Sequence, residues 1–307
     1  MSEFLLELYS EEIPPLLQIS ARIELQDNLK NLLNEEKVSY KSIRTYSSPT
    51  RLTAIIKDIP EKIKISAKEI KGPKVGVHED VLNSFIKAHN TSKKNVFEKE
   101  NEKGKFYFIK TIPKEIFSKD LLIKATLNSI ASLNWKKSMK WSSNKLAWGR
   151  PLRSIVAILN KKVLPFSYGH LKSTDLVIIE KDLINKSKKI KNFNEYLSFL
   201  KNNRIILDHD ERKEKILKRF ENICKNKNYK QDFNKKLIDE VVNIVEDPNV
   251  LLVDFDKKYL EIPSEIIIST LQNHQRYFPL FDNKANLTNF FLVVANKKDT
   301  KNLIKEG

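Results

Sequence analysis

The chain has 307 residues, 40% of them hydrophobic and 9% aromatic, which is enough to bury a core and excludes wholesale disorder. It carries 56 Lys and Arg against 39 Asp and Glu, and the resulting +17 points toward a polyanionic partner, nucleic acid first. No apolar run reaches the roughly 18 residues of a membrane span, the opening MSEFLLELYSEEIPP lacks the marks of a secretory signal, and the single cysteine, Cys224, excludes an intramolecular disulfide and suits a reducing cytoplasm.

In chain order, Phe4–Tyr9 predicts a short strand. Glu11-Glu12-Ile13-Pro14-Pro15 opens a helix, because acids suit its positive end and proline is tolerated in a first turn. Leu16, Ile19, Ile23, Leu29, Leu32 and Leu33 keep the helical period to about Glu36. Ser42–Ser48 and Arg51–Ile59 predict two strands around Ser48-Pro49, and Lys62–Lys71 a third that stops at Gly72-Pro73. His78–His89 predicts a short helix. Asn95–Glu100 and Phe106–Thr111 predict a hairpin, Lys114–Leu133 one long helix, and 134–150 a basic and aromatic loop. Leu152–Leu159 and Val163–Tyr168 predict strands.

A Lys-rich polar stretch, 170–192, separates this half from the next. There Phe193–Lys201 predicts a helix and Ile205–Leu207 a short strand. Asp208 or Asp210 caps a helix to about Cys224. Asp232–Val245 and Pro263–Asn273 predict helices, and Val250–Phe255, Tyr277–Phe281 and Asn289–Val294 strands. This order predicts an α+β fold of mixed, mostly antiparallel sheets packed with helices. It divides into residues 1–172, with a small inserted module at about 61–112, and a second α+β unit, 173–307.

The charge is unevenly spread. Of the 56 basic residues 47 are Lys, and Asn occurs 28 times, a bias that AT-rich codons alone would produce. Drift should act everywhere, yet residues 1–60 carry a net −2 and 241–307 a net −1, while 121–180 carry +8 with only two acids. A phosphate-facing surface needs that loss of acids, since each carboxylate would repel the backbone. Trp135, Trp141 and Trp148 fall in the same stretch, with Lys136, Lys137, Lys140, Lys145, Arg150 and Arg153 and no acid between Leu133 and Arg153. Two readings stand side by side: tryptophans that stack on unpaired bases, or core anchors with a solvated lysine rim. His274-Gln275-Arg276 joins a helix end to a strand, either as a polar RNA or subunit contact or as a structural corner. His209-Asp210, a dipeptide of metal-dependent phosphohydrolases, lacks the further ligands such a site needs and reads as a helix cap. No P-loop, GxGxxG, CxxC, HExxH or GxSxG is present.

Several segments fall in the order of one family. Phe4-Leu5-Leu6-Glu7-Leu8-Tyr9-Ser10-Glu11-Glu12-Ile13-Pro14-Pro15 resembles LLLEIGTEELPP, and Ser48-Pro49-Thr50-Arg51-Leu52 resembles TPRRL. Lys71-Gly72-Pro73-Lys74 and Lys103-Gly104-Lys105-Phe106-Tyr107-Phe108 also fall in that order. Lys137-Ser138-Met139-Lys140-Trp141 resembles KxMRW, and Arg150-Pro151-Leu152 resembles RPL. Val245-Glu246-Asp247-Pro248 resembles VEWP, and Leu260-Glu261-Ile262-Pro263 with His274-Gln275-Arg276-Tyr277-Phe278-Pro279 resembles LALP…HQKYFP. The set resembles the β subunit of bacterial heterotetrameric glycyl-tRNA synthetase from residue 4 to about 296. Ser173–Glu180 lacks the Arg and His of that family's TTRGHRF, which puts any RNA or ligand role of that element in doubt. Thr50 and Lys140 each replace an Arg, and Lys140 keeps charge but loses the bidentate fork.

The resemblance implies a non-catalytic, tRNA-binding and assembly subunit of an α2β2 enzyme that attaches glycine to tRNA-Gly. It implies that the α subunit holds glycine, ATP and Mg, that this chain binds no cofactor itself, and that the complex is cytoplasmic. Lys136, Lys137, Lys140, Arg150 and Arg153 are the expected phosphate contacts, Trp141 a stacking or buttressing residue, and His274, Gln275 and Arg276 a second contact. A stand-alone RNA-binding protein, a tRNA-editing domain and a structural scaffold are the rival readings. The family's β subunit is longer, so an N-terminal part or a shortened subunit is expected.

Overall fold

The computed structural model describes residues 2–65, 69–101, 104–110, 114–141, 146–181, 184–231 and 234–297. In the first half, β1 (Glu3–Ser10) leads to α1 (Pro15–Glu35) and the hairpin β2 (Ser42–Ser48) and β3 (Arg51–Lys57). Next come β4 (Lys62–Ile65), β5 (Glu69–Lys74), α2 (Glu79–Ala88), β6 (Val96–Asn101), β7 (Gly104–Lys110), β8 (Lys114–Phe117) and α3 (Ser118–Ser132). They are followed by β9 (Met139–Trp141), β10 (Leu146–Trp148), β11 (Leu152–Leu159), β12 (Lys162–Val163), β13 (Ser167–Tyr168) and β14 (Leu171–Thr174). The hairpin β15 (Leu176–Lys181) and β16 (Ile184–Lys189) and helix α4 (Phe193–Asn202) complete it.

A seven-stranded sheet in the order β13-β14-β11-β1-β3-β2, with β12 on the flank of β11, organises this half. Its strands are antiparallel except β11 and β14. Side chains alternate along a strand, so both faces must be covered when the run is apolar throughout. Phe4, Leu6 and Leu8 point into one core with Leu52, Ala54, Ile56, Ile155 and Ala157. Leu5, Ile55, Val156 and Ile158 point into the other. The first core is roofed by α1 and α3. On α1, Leu17, Ala21, Leu25, Leu29 and Leu33 recur every four residues as a buried stripe. The second core is roofed by β15 and α4 through Val177, Ile179, Tyr196 and Leu200. Thus β15, β16 and α4, beyond residue 172, pack on the same sheet.

Several expected elements divide. Lys114–Leu133 is not one helix: β8 pairs with β4, and α3 begins at Ser118. The buried stripe Leu121, Leu122, Ala125, Ser129 and Ile130 does not reach Phe117, which is 44% exposed. Lys62–Lys71 is likewise two strands, β4 and β5, and β5 runs past Gly72-Pro73 because a register shift between Lys71 and Lys74 absorbs the proline. A Cβ on Gly72 would fall 2.4 Å from the Phe85 ring of α2, so this close approach needs glycine. The sheet β5-β7-β6 with α2 forms the small module. Stretch 134–150 is not all loop, since it holds the β9–β10 hairpin.

In the second half, α5 (His209–Lys227), α6 (Lys235–Val242), β17 (Asn249–Asp254), β18 (Phe278–Phe281) and β19 (Leu287–Ala295) enclose a third core. Its sheet is antiparallel in the order β17-β19-β18. The Asp208 side chain caps α5, accepting from the Asp210 N–H at 2.9 Å. Ile205–Leu207 joins no strand ladder; Ile206 donates its N–H to the Glu246 carbonyl at 2.9 Å. Pro263–Asn273 becomes α7 (Ser264–Ser269) and then a π turn, Thr270–His274. No helix among the described residues is long and apolar enough to cross a membrane.

Candidate nucleic-acid interface

The basic and aromatic stretch is built on the roof of the first core. At the end of α3, Leu133 is buried and the Asn134 N–H donates to Glu24 Oε2 of α1 at 2.7 Å, which fixes where the chain leaves the helix. Trp135 then meets Trp148 edge to face, ring centres 4.5 Å apart and planes at 61°. Gly149 is required beneath it, because a Cβ there would lie 2.3 Å from the Trp135 ring. The β9–β10 register sets Met139 opposite Trp148, Lys140 opposite Ala147 and Trp141 opposite Leu146.

This geometry separates aromatics from cations. Trp148 is fully buried, and Trp135 and Trp141 are half-buried against the same core. All three indole N–H groups are buried and without a hydrogen-bond partner among the described residues. The tryptophans are therefore anchors, and only the exposed parts of Trp135 and Trp141 are open to a partner. Lys136, Lys137 and Lys140 are exposed and form no ion pair among the described residues. Arg150 is half-buried and donates to the Gly149 carbonyl at 2.9 Å. Arg153, on β11, is exposed and paired with Glu180 of β15. Lys145 lies outside the described residues.

The other predicted group sits on the third core. His274, Gln275 and Arg276 are exposed at the end of the π turn. Arg276 has a left-handed φ of 59° and its Nε lies 2.7 Å from Glu240 Oε1 on α6. Tyr277 and Phe278 turn inward, onto Phe291 at 5.1 Å and Phe220 at 4.8 Å. The corner thus shows its polar side chains outward and its aromatic ones inward. The structure does not unite the two groups on one element or one core.

A family profile described as "Glycyl-tRNA synthetase beta subunit" matches residues 4–307. Similar curated proteins named "Glycine--tRNA ligase beta subunit" come from Rickettsia felis, 35% identical over 300 residues, and Rickettsia prowazekii, 36% over 299. A third, from Rickettsia typhi, is 37% identical over 301 residues. The chain belongs to the glycyl-tRNA synthetase β-subunit family. Each alignment covers 96% of this chain but only 44–45% of the relative, so the chain spans less than half the length of the curated relatives it matches.

Against that family, the segments that carry the likeness converge on a buried cluster that sequence patterning does not single out. Glu7 of the first segment and Glu246 of the VEDP segment meet at Arg51 of the second, with Tyr196 beside Glu7. Arg51 Nε lies 3.1 Å from Glu7 Oε2, and its Nη1 lies 3.7 Å from Glu246 Oε1. Tyr196 donates to Glu7, Thr53 Oγ1 stands 3.0 Å from the Tyr196 hydroxyl, and Ser48 donates to Glu246 at 3.2 Å. Burial pushes the Glu7 carboxyl up, with Arg51 pulling it partly back. Burial and then Glu7 push the Tyr196 hydroxyl well up. Such a network locks the sheet to α4 and to the coil between α6 and β17.

Arg212 does similar work for α5. Its Nε donates to the Val242 carbonyl at 2.9 Å, Nη1 to Ile206 at 2.6 Å and Leu207 at 2.9 Å, and Nη2 to Ser47 at 2.9 Å. Burial brings this guanidinium down to about 10. The sequence signal was present: Arg212 stands four residues before Ile216 and eight before Phe220, on the apolar stripe. His209 is pushed down by burial and by Arg22, and sits at the first turn of α5 behind the Asp208 cap. The described residues hold no group of three or more His, Cys, Asp or Glu side chains able to share a metal ion.

Proposed function

We propose that this chain is the tRNA-docking and assembly part of a glycyl-tRNA synthetase, supporting ATP-dependent attachment of glycine to tRNA-Gly in the cytoplasm. Its partners are an α subunit, in an α2β2 assembly, and tRNA-Gly. ATP and Mg act on the α subunit, and this chain positions the nucleic acid. Lys136, Lys137 and Lys140, with Arg150 and Arg153 beside them, face phosphates, Trp141 buttresses the hairpin, and His274, Gln275 and Arg276 form a second polar contact.

The observation that carries this reading is that Lys136, Lys137 and Lys140, on and just before a hairpin whose tryptophans are anchored in the core, form no ion pair among the described residues. Rigid placement of cations limits the entropy lost on docking, and the lack of any acid between Leu133 and Arg153 in the sequence suits a phosphate-facing stretch. Filter binding of tRNA-Gly across a salt series tests it. Replacing the three lysines by Ala is expected to make the log–log salt slope shallower by about 2–3. An unchanged slope and affinity would remove the hairpin as the docking surface. Co-purification with the α subunit separates this reading from a stand-alone RNA-binding protein.

A further inference from the structure

A second basic surface lies on the β15–β16 ribbon. From Ile184 to Asn194 the sequence has four lysines, Lys186, Lys188, Lys189 and Lys191, and no acid. All four are exposed, and none has a carboxylate partner among the described residues. Among the described residues, three nearby glutamates already accept hydrogen bonds, and Asp182, between β15 and β16 in the sequence, lies outside the described residues. Glu180 accepts from Arg153 and Tyr9, Glu195 from the Lys191 N–H and Asn192, and Glu3 from the Phe193 N–H. Lys186 and Lys188 stand opposite Ile179 and Val177, on one face of the strand and about 6.6–6.8 Å apart along it. Lys189 projects to the other face. Among the described residues, β16 pairs only with β15, so its outer edge keeps free backbone N–H groups beside the lysines.

We propose that this ribbon is a second phosphate-binding surface that tracks the RNA backbone, continuing the interface begun at Arg153. Glu180 pairs in register with Asn185 and holds the Arg153 guanidinium, so the ribbon meets β11 where the first basic stretch ends. The inference rests on the tRNA-docking reading and extends its footprint to a segment that lacks the family's Arg and His. Lysines and free N–H groups along one edge are point donors for phosphate oxygens and carry no base specificity. The alternative occupant, an added peptide strand, gains specificity from pockets for alternate side chains. The exposed residues of β16, Asn185, Ser187 and the lysines on its two faces, are all polar and supply no apolar anchor for alternate side chains.

The test compares the full chain with a variant carrying Lys186→Thr, Lys188→Thr, Lys189→Thr and Lys191→Thr, threonine being well suited to a strand. Affinity for tRNA-Gly is measured from low to physiological salt, with thermal melting as the check on folding. The expected result is a salt slope shallower by about 3 and a loss of affinity for unrelated tRNA in the same proportion. The matching Lys→Arg variant keeps the wild-type slope. Unchanged slope in a folded Thr variant, while the wild type binds and Lys136, Lys137 and Lys140 replacements weaken it, overturns the ribbon and leaves the docking reading intact. Oligomer formation by the Thr variant with unchanged RNA affinity also overturns it, since the lysines then only guard a strand edge. No RNA binding by the wild type removes both.

Discussion

Arg212→Met removes a buried guanidinium and keeps an unbranched chain of similar reach. Arg212 donates to the carbonyls of Ser47, Ile206, Leu207 and Val242, which join β2, the coil before α5 and the end of α6. Hydrogen bonds from a charged donor contribute ~1.5–3 kcal/mol each, so four contribute ~6–12 kcal/mol. The cost of holding the charge inside, seen in the guanidinium's fall to about 10, offsets ~3 kcal/mol of this. The variant should therefore be destabilised by at least ~3 kcal/mol, a large share of a domain's margin. Urea unfolding of the full chain, followed by circular dichroism and by tryptophan emission, reads the effect as a transition at least ~1 M lower. Arg212→Lys, which keeps the charge and loses the planar fork, should fall between. A Met variant whose midpoint moves by less than about 0.3 M would refute the argument that these carbonyls depend on Arg212.

Two further predictions rest on equally specific contacts. Gly149→Ala places a methyl 2.3 Å from the Trp135 ring and should cost ~1–3 kcal/mol, with a lower melting point and red-shifted tryptophan emission; a wild-type melt would contradict the close approach. Glu7 titrates above 4.5 in the folded chain, so between 4.5 and its folded value the native state holds more protons than the unfolded one. Its contribution is full below 4.5 and is lost as pH rises through the folded value, so melting points of wild type and Glu7→Gln compared across pH should show wild type losing ground as pH rises. A relative gain would contradict that sign.

What was legible in the sequence follows from where the deciding forces lie. The apolar runs of β1, β3 and β11 declare themselves because a sheet covered on both faces needs them. The α1 stripe likewise follows from its four-residue spacing. By contrast, β8 is four residues long and exists through β4, about fifty residues earlier, while β9 and β10 are three-residue strands too short to show a period of their own. Glu7, Arg51 and Arg212 read as ordinary surface charges in a chain with 56 basic residues, although they are buried. The scarcity of arginine was itself a clue. Where a fork of fixed donors is needed, as at Arg51 and Arg212, lysine cannot substitute. For the candidate interface, sequence left the tryptophans between base stacking and core. Burial places Trp148 wholly, and Trp135 and Trp141 half, in the core, while the exposed lysines beside them remain available.

The most direct test is the affinity of the 307-residue chain for tRNA-Gly measured across a salt series without any partner. Saturable binding is expected at low salt, its logarithm falling linearly with log salt with a slope of about −2 or steeper from Lys136, Lys137 and Lys140 alone. Absence of retained tRNA at low salt, or a slope near zero, would contradict it.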